Sequence, residues 1–151
     1  MKTKHRIACA VLAGLLAIAT HASAQDAGLV HRDSRYPVGE TVERIEATAR
    51  SRGLMIFARI DHSDEARKAG LQMPPTQVIV LGNPKGGTPV MLAAPTSAID
   101  LPLKVLVRQG ADGKTVVSIN DHRWLQARHG VGDDLAKPLA GLPALLAAAL
   151  D

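Results

Sequence analysis

The stretch from Leu54 to Leu81, LMIFARIDHSDEARKAGLQMPPTQVIVL, decides the fold. It opens with Leu54–Ile60 (LMIFARI), a nearly continuous apolar run, and closes with Thr76–Leu81 (TQVIVL), rich in β-branched residues. Runs of this length and composition predict two strands, and the lack of polar alternation in the first predicts an interior strand covered on at least one face. Between them, Asp61 or Ser63 is placed to cap a short helix over Asp64–Ala69 and Gly70 to end it, while Pro74-Pro75 parts it from the second strand.

Upstream, Val38, Val42, Ile45 and Ala49 recur at helical spacing, with Glu40 and Glu43 in the first turn, Arg50 and Arg52 in the last, and Gly53 as terminator. That pattern predicts a helix over 38–52 whose charges complement its dipole. The pairs Glu40–Arg44 and Glu46–Arg50 read as its solvated face. Asp26–Pro37 suits a short first strand or an extended lead-in. Downstream, Gly82-Asn83-Pro84 and Gly86-Gly87 make a turn-dense segment, and Pro89–Ala94 a short helix bounded by Pro95. Leu103–Gln109 and Thr115–Asn120 read as a hairpin around Gly110-Ala111-Asp112-Gly113, and Asp121–His129 as a capped helix ending at Gly130. Leu135, Leu139, Leu142 and Leu146 are spaced as a helix, but Pro138 and Pro143 predict two short ones packed on the sheet. The order β-α-β-α-β-short α-β-β-α-α describes an α+β fold, a two-layer domain with a small, mostly antiparallel sheet covered by helices.

A chain of 151 residues, 46% apolar and 21% charged, is enough for one compact domain and too apolar for a disordered one. Lys2, Lys4 and Arg6 precede the uncharged stretch Ile7–Ala19, and Ala22-Ser23-Ala24 has the small residues of a cleavage site. Residues 1–24 therefore read as a signal peptide cut near Ala24-Gln25, which leaves 25–151 as a single periplasmic or secreted domain. The apolar stretch is short of the ~20 residues a membrane span needs, so membrane contact is expected only before cleavage. Removing three basic residues lowers the formal charge from +4 to +1 and erases the basic footprint of a nucleic-acid binder. Tyr36, Phe57 and Trp124 are the only aromatics, too few for base stacking. The lone cysteine, Cys9, leaves with the signal, which excludes thiol nucleophiles, redox pairs and thiolate metal sites.

Several blocks in order carry a resemblance: the 38–52 helix, GLMIFARIDH, Ala66-Arg67-Lys68-Ala69-Gly70-Leu71, PPTQVIVLGNP, GTPVM, DLPLKVLV and ARHG. Over roughly residues 30–130 the chain resembles the family named domain of unknown function 302. The resemblance implies a small α+β domain capable of dimerising, and it implies no activity, substrate or cofactor. Where the family pattern has Asp-Pro before the last helix, this chain has Asp121-His122.

Two Asp-His pairs, Asp61-His62 and Asp121-His122, sit at strand-to-helix junctions, with His129 seven residues after His122. If the junctions converge, His62, Asp121, His122 and His129 offer ligands for a divalent metal. Helix capping by each Asp is the simpler explanation, because its carboxylate satisfies orphan N–H groups. Met55, Met73 and Met91 with histidines would suit copper, although methionine more often fills cores. Lys85 in the glycine-rich segment could meet an anion, but Pro84 removes a donor that a phosphate loop uses. Asp100 and Lys104 flank an apolar triplet and read as a salt bridge at the sheet end, or as a polar anchor at a pocket mouth. No G-x-S-x-G is present, and Ser63, Ser97 and Ser118 have no neighbouring catalytic motif.

The expectation is an exported, non-enzymatic domain that binds a small apolar or amphipathic ligand, or a partner, in a cleft at one end of the sheet. Asp61, His62, Asn83, Lys104 and His129 are its expected polar lining. A His/Asp metalloprotein or metal-dependent enzyme, and a structural homodimer joined by the Leu-rich tail helices, are the alternatives.

Overall fold

The computed structural model describes residues 28–151. Five strands form one antiparallel sheet: β1 (Leu29–Ser34), β2 (Met55–Asp61), β3 (Thr76–Gly82), β4 (Leu103–Gln109) and β5 (Thr115–Asn120). Their order across the sheet is β1-β5-β4-β3-β2. Helix α1 (Val38–Ser51) carries the chain from one edge to the other. Its 14 residues span roughly 21 Å, matching the roughly 19 Å across five strands.

One buried and one open face alternate along β3 and β4. Gln77, Ile79 and Leu81 of β3, with Val105 and Val107 of β4, point inward, and their neighbours are half-buried. Val42, Ile45 and Ala49 of α1 cover this inner face together with Leu145, Leu146 and Ala149 of α6 (Leu142–Leu150). Ile45 and Leu145 are almost completely buried, so truncating either to alanine would cost about 2–5 kcal/mol. Buried Ser34 and Thr41 satisfy one another at 2.8 Å where β1 meets α1.

The interior position expected of Leu54–Ile60 is overturned. Strand β2 pairs only with β3 and forms an edge, with Met55, Phe57 and Ile60 all more than 40% exposed. Its apolar run reflects two different surroundings, the core beside Ile56 and an open cleft beside Phe57. A register shift between Ile56 and Ala58 distorts this edge, and Arg59 adds a charge to it, both of which discourage further strand pairing.

A second difference lies after β3. Helix α3 (Pro84–Ala93) begins five residues before the expected Pro89 and runs through Gly86-Gly87. Asn83 caps it, its Oδ1 accepting from the Lys85 amide at 2.9 Å, and Pro84 occupies the first helical position, where no N–H is needed. A 3-10 turn (Pro95–Ile99) leads to β4. After β5 come α4 (His122–His129), the single turn α5 (Asp133–Ala136) and a 3-10 turn (Lys137–Gly141) before α6, so Pro138 and Pro143 do divide the tail. Val90, Ala94, Val131 and Ala136 form a small second core, separate from the main one. No helix among the described residues is long and apolar enough to cross a membrane.

Candidate functional site

Where the two cores meet, at the end of the sheet marked by Gly82, the fold leaves a cleft of about 400 Å³. Leu81, Leu103, Leu142 and Leu145 bring the main core to its floor, Met91 and Leu139 form the far wall, and Phe57 of the edge strand stands at its side. The volume is that of a small-molecule site. Four glycines line it, Gly82, Gly86, Gly87 and Gly141, and none adopts the left-handed conformation that would call for glycine. A methyl group at Gly87 would meet only the flexible end of Met91, at 4.0 Å, and one at Gly141 would meet nothing within 4 Å. Glycine inside a helix costs about 0.5–1 kcal/mol relative to alanine. At Gly87 neither backbone nor packing requires that loss, and its consequence is open space.

Polar groups are confined to the rim. Asn83 lines the cleft while it caps α3, and its Nδ2 donates a long 3.4 Å hydrogen bond to the Gly53 carbonyl. Thr88 and Arg52 complete the polar set, and among the described residues no acidic group or histidine lines the cavity.

Of the five expected lining residues the structure places only Asn83 at the cleft. Asp61 lies at the far end of β2, where its Oδ1 accepts from Ser63 Oγ at 2.5 Å and the Asp64 amide at 2.9 Å. Gln77 Nε2 donates to its other oxygen at 3.0 Å. The Ser63 bond first, then the Asp64 amide, hold this carboxyl below the usual carboxylate range. Asp61 is thus a cap, and His62 is the exposed first residue of α2 (His62–Lys68). Lys104 lies on the open face of the sheet beside His31 and Leu106, its Nζ donating to the Ile99 carbonyl at 3.3 Å rather than pairing with Asp100.

His129 packs just behind the cleft. Its side chain is only 4% exposed, with Nε2 2.7 Å from Asp100 Oδ2 and Nδ1 3.0 Å from Thr96 Oγ1. Hydroxyl, imidazole and carboxylate thus stand in the sequence of a nucleophile relay. The adjoining cavity, which shares Leu101 and Leu139 with the cleft, has only about 10 Å³, room for a single water rather than a substrate. Ser97 Oγ is buried beside it with no partner among the described residues. The arrangement braces α4 against the Pro95–Ile99 turn.

The two Asp-His junctions do not converge. Strands alternate direction, so β2 and β5, separated by β3 and β4, finish at opposite ends of the sheet. Asp121 caps α4 by accepting from the Arg123 amide at 2.7 Å, and His122 stands 3.5 Å from the same carboxylate. No cluster of three His, Asp or Glu side chains suited to a metal occurs among the described residues. Met55 and Met73 are likewise split, since Met55 faces Gly82 at one end of β3 and Met73 precedes Thr76 at the other. Ser118, at 2.7 Å, engages His31 Nδ1. The tail leucines Leu142, Leu145, Leu146 and Leu150 are buried in the protein's own core, so they do not supply the expected dimer surface.

Residues 30–149 match the model of the family described as Domain of unknown function DUF302. The chain belongs to that family. A DUF302 structure, the uncharacterized conserved protein from Bacillus stearothermophilus, superposes with a TM-score of 0.69 over 82% of this chain and 96% of that one. At 22% identity it establishes the shared fold alone. Among curated proteins, the DUF302 chain is 44% identical over 111 residues to a protein named fluoride-specific ion channel FluC 1 from Brucella suis. It is equally similar to FluC 1 of Brucella abortus. The match covers 74% of this chain but only 44% and 41% of those proteins, so the chain spans less than half the length of the curated relatives it matches.

Proposed function

We propose that the chain is an exported, non-enzymatic binding domain that takes a small apolar or amphipathic molecule into the cleft at the Gly82 end of the sheet. The observation that carries this reading is an apolar cavity of about 400 Å³ lined by glycines, of which Gly87 and Gly141 have both the backbone conformation and the room for a side chain. Export rests on the basic start, apolar stretch and cleavage pattern of residues 1–24, which lie outside the described residues. A binding role is favoured over catalysis because none of Thr96, His129 and Asp100 lines the cleft.

Titration of the purified chain with N-phenyl-1-naphthylamine, an uncharged apolar dye, tests the proposal. Saturable 1:1 fluorescence enhancement is expected, with at least tenfold weaker binding in Gly87→Leu and in Gly141→Leu, both of which fill the cavity while remaining folded by circular dichroism. Unsaturable binding by the unaltered protein, or affinity unchanged in both folded variants, refutes it.

A further inference from the structure

We infer that the molecule held in the cleft is a singly charged carboxylate on an apolar tail, with the Arg52 guanidinium as its counter-ion. The inference rests on the binding role proposed for the cleft and adds the chemical class of the occupant.

Arg52 is the one charged residue in the lining, and no carboxylate among the described residues borders the cavity to neutralise it. Its guanidinium makes no hydrogen bond, ion pair or ring contact with any described residue. A basic residue at a helix C-terminus ordinarily answers the free carbonyls and the dipole there. At the end of α1 three of those carbonyls, of Thr48, Ala49 and Arg50, are already occupied. The Thr48 and Ala49 oxygens accept from the Arg52 amide at 3.2 and 3.1 Å, Ala49 accepts also from Leu54 at 3.0 Å, and Arg50 accepts from Gly53 at 3.0 Å. The neighbouring Arg50, by contrast, is bound to Glu46 at 2.9 Å. The last turn thus has its charged pair and its capping bonds without the Arg52 side chain, and Arg52 borders the mouth of an apolar cavity.

A guanidinium fork fits a carboxylate in bidentate geometry. Asn83, bordering the same mouth, has an amide donor beyond the one spent on Gly53. One cation and one amide suit a single negative charge; a phosphate dianion would call for a second cation, and the lining has none. The apolar floor takes the tail, which removes from water the surface that gives most of the affinity. Because the mouth is open to water, the ion pair adds selectivity of about tenfold, at the low end of charge-assisted hydrogen bonds.

Octanoate, octanol and octyl phosphate are compared as competitors of N-phenyl-1-naphthylamine on the full purified chain. Octanoate is expected to displace the dye at about tenfold lower concentration than octanol. Arg52→Gln should bring octanoate to the level of octanol, and Arg52→Lys should keep part of the difference. Equal potency of octanoate and octanol on the unaltered protein, a preference that survives in Arg52→Gln, or octyl phosphate binding more tightly than octanoate overturns the inference. Absence of saturable dye binding would defeat the cleft reading itself, and the inference with it, so the two failures are distinguishable.

Discussion

Replacing Gly87 with alanine is expected to stabilise the protein by about 0.5–1 kcal/mol, whereas the same change one residue earlier is expected to destabilise it. Both glycines lie in α3 at ordinary helical φ, so alanine suits either backbone. At Gly87 the new methyl meets only Met91 Cε, at 4.0 Å, which is ordinary contact with a flexible side chain. At Gly86 it would stand 3.0 Å from Pro138 Cβ and 3.7 Å from its Cγ. The proline ring cannot swing aside, so the overpacking cost of about 1–3 kcal/mol outweighs the helix gain and leaves a net loss of up to about 2 kcal/mol. In thermal unfolding followed by far-UV circular dichroism, the Gly87 variant should melt about 2–5 °C above the parent and the Gly86 variant below it. Trp124, the single tryptophan, offers a second probe in urea. A Gly87→Ala protein less stable than its parent would refute the reasoning. It would mean that the fold itself demands glycine there, and the case that Gly87 is present to keep the cleft open would fall.

Two further outcomes follow from the polar contacts. Asp61→Ala removes the cap of α2 and should cost about 1 kcal/mol. Because hydrogen bonds lower the folded-state pKa of Asp61, its contribution is complete above the unfolded value near 3.9 and disappears as pH falls through the lower folded value. The gap between parent and variant in urea unfolding should therefore be constant from pH 5 to 7 and narrow below about pH 4; a constant gap down to pH 2 would contradict the assignment. His129→Ala deletes a side chain only 4% exposed and strips Asp100 of its 2.7 Å partner, so a loss of about 2–3 kcal/mol is expected. A loss below about 0.5 kcal/mol would show that the brace does not hold α4.

Asn83 reads in the sequence as a residue that holds a turn or points into a cleft; it borders the cleft, and in place of a turn it caps α3. The start of α3 was obscured because Gly86-Gly87 resembles a loop. Asn-Pro at the cap and first helical positions is the signal that would have revealed it. The charge pattern of α1 takes in Arg52 together with Arg50, and one local difference separates the two. The difference is that Glu46 lies one turn before Arg50, whereas Arg52 has no acidic residue there, borders the cleft and lacks a described partner. Spacing in the sequence pairs Asp100 with Lys104, four residues away, yet its partners are His129 at 2.7 Å and Arg128 at 3.6 Å, brought in by the packing of α4.

Local patterns in the sequence determined the elements, because a helix stripe, a β-branched run or an Asp cap depends on contacts a few residues apart. They were enough for α1, for β3 to β5, for both Asp caps and for the two-layer α+β class. Strand order, and with it the edge position of β2 and the separation of the two Asp-His junctions, was decided only when α1 spanned the full width of the sheet. The cleft was likewise a tertiary outcome. It exists because two cores built from distant segments meet at positions whose side chains are single hydrogens, and no local pattern records which glycines will come to face the same empty space.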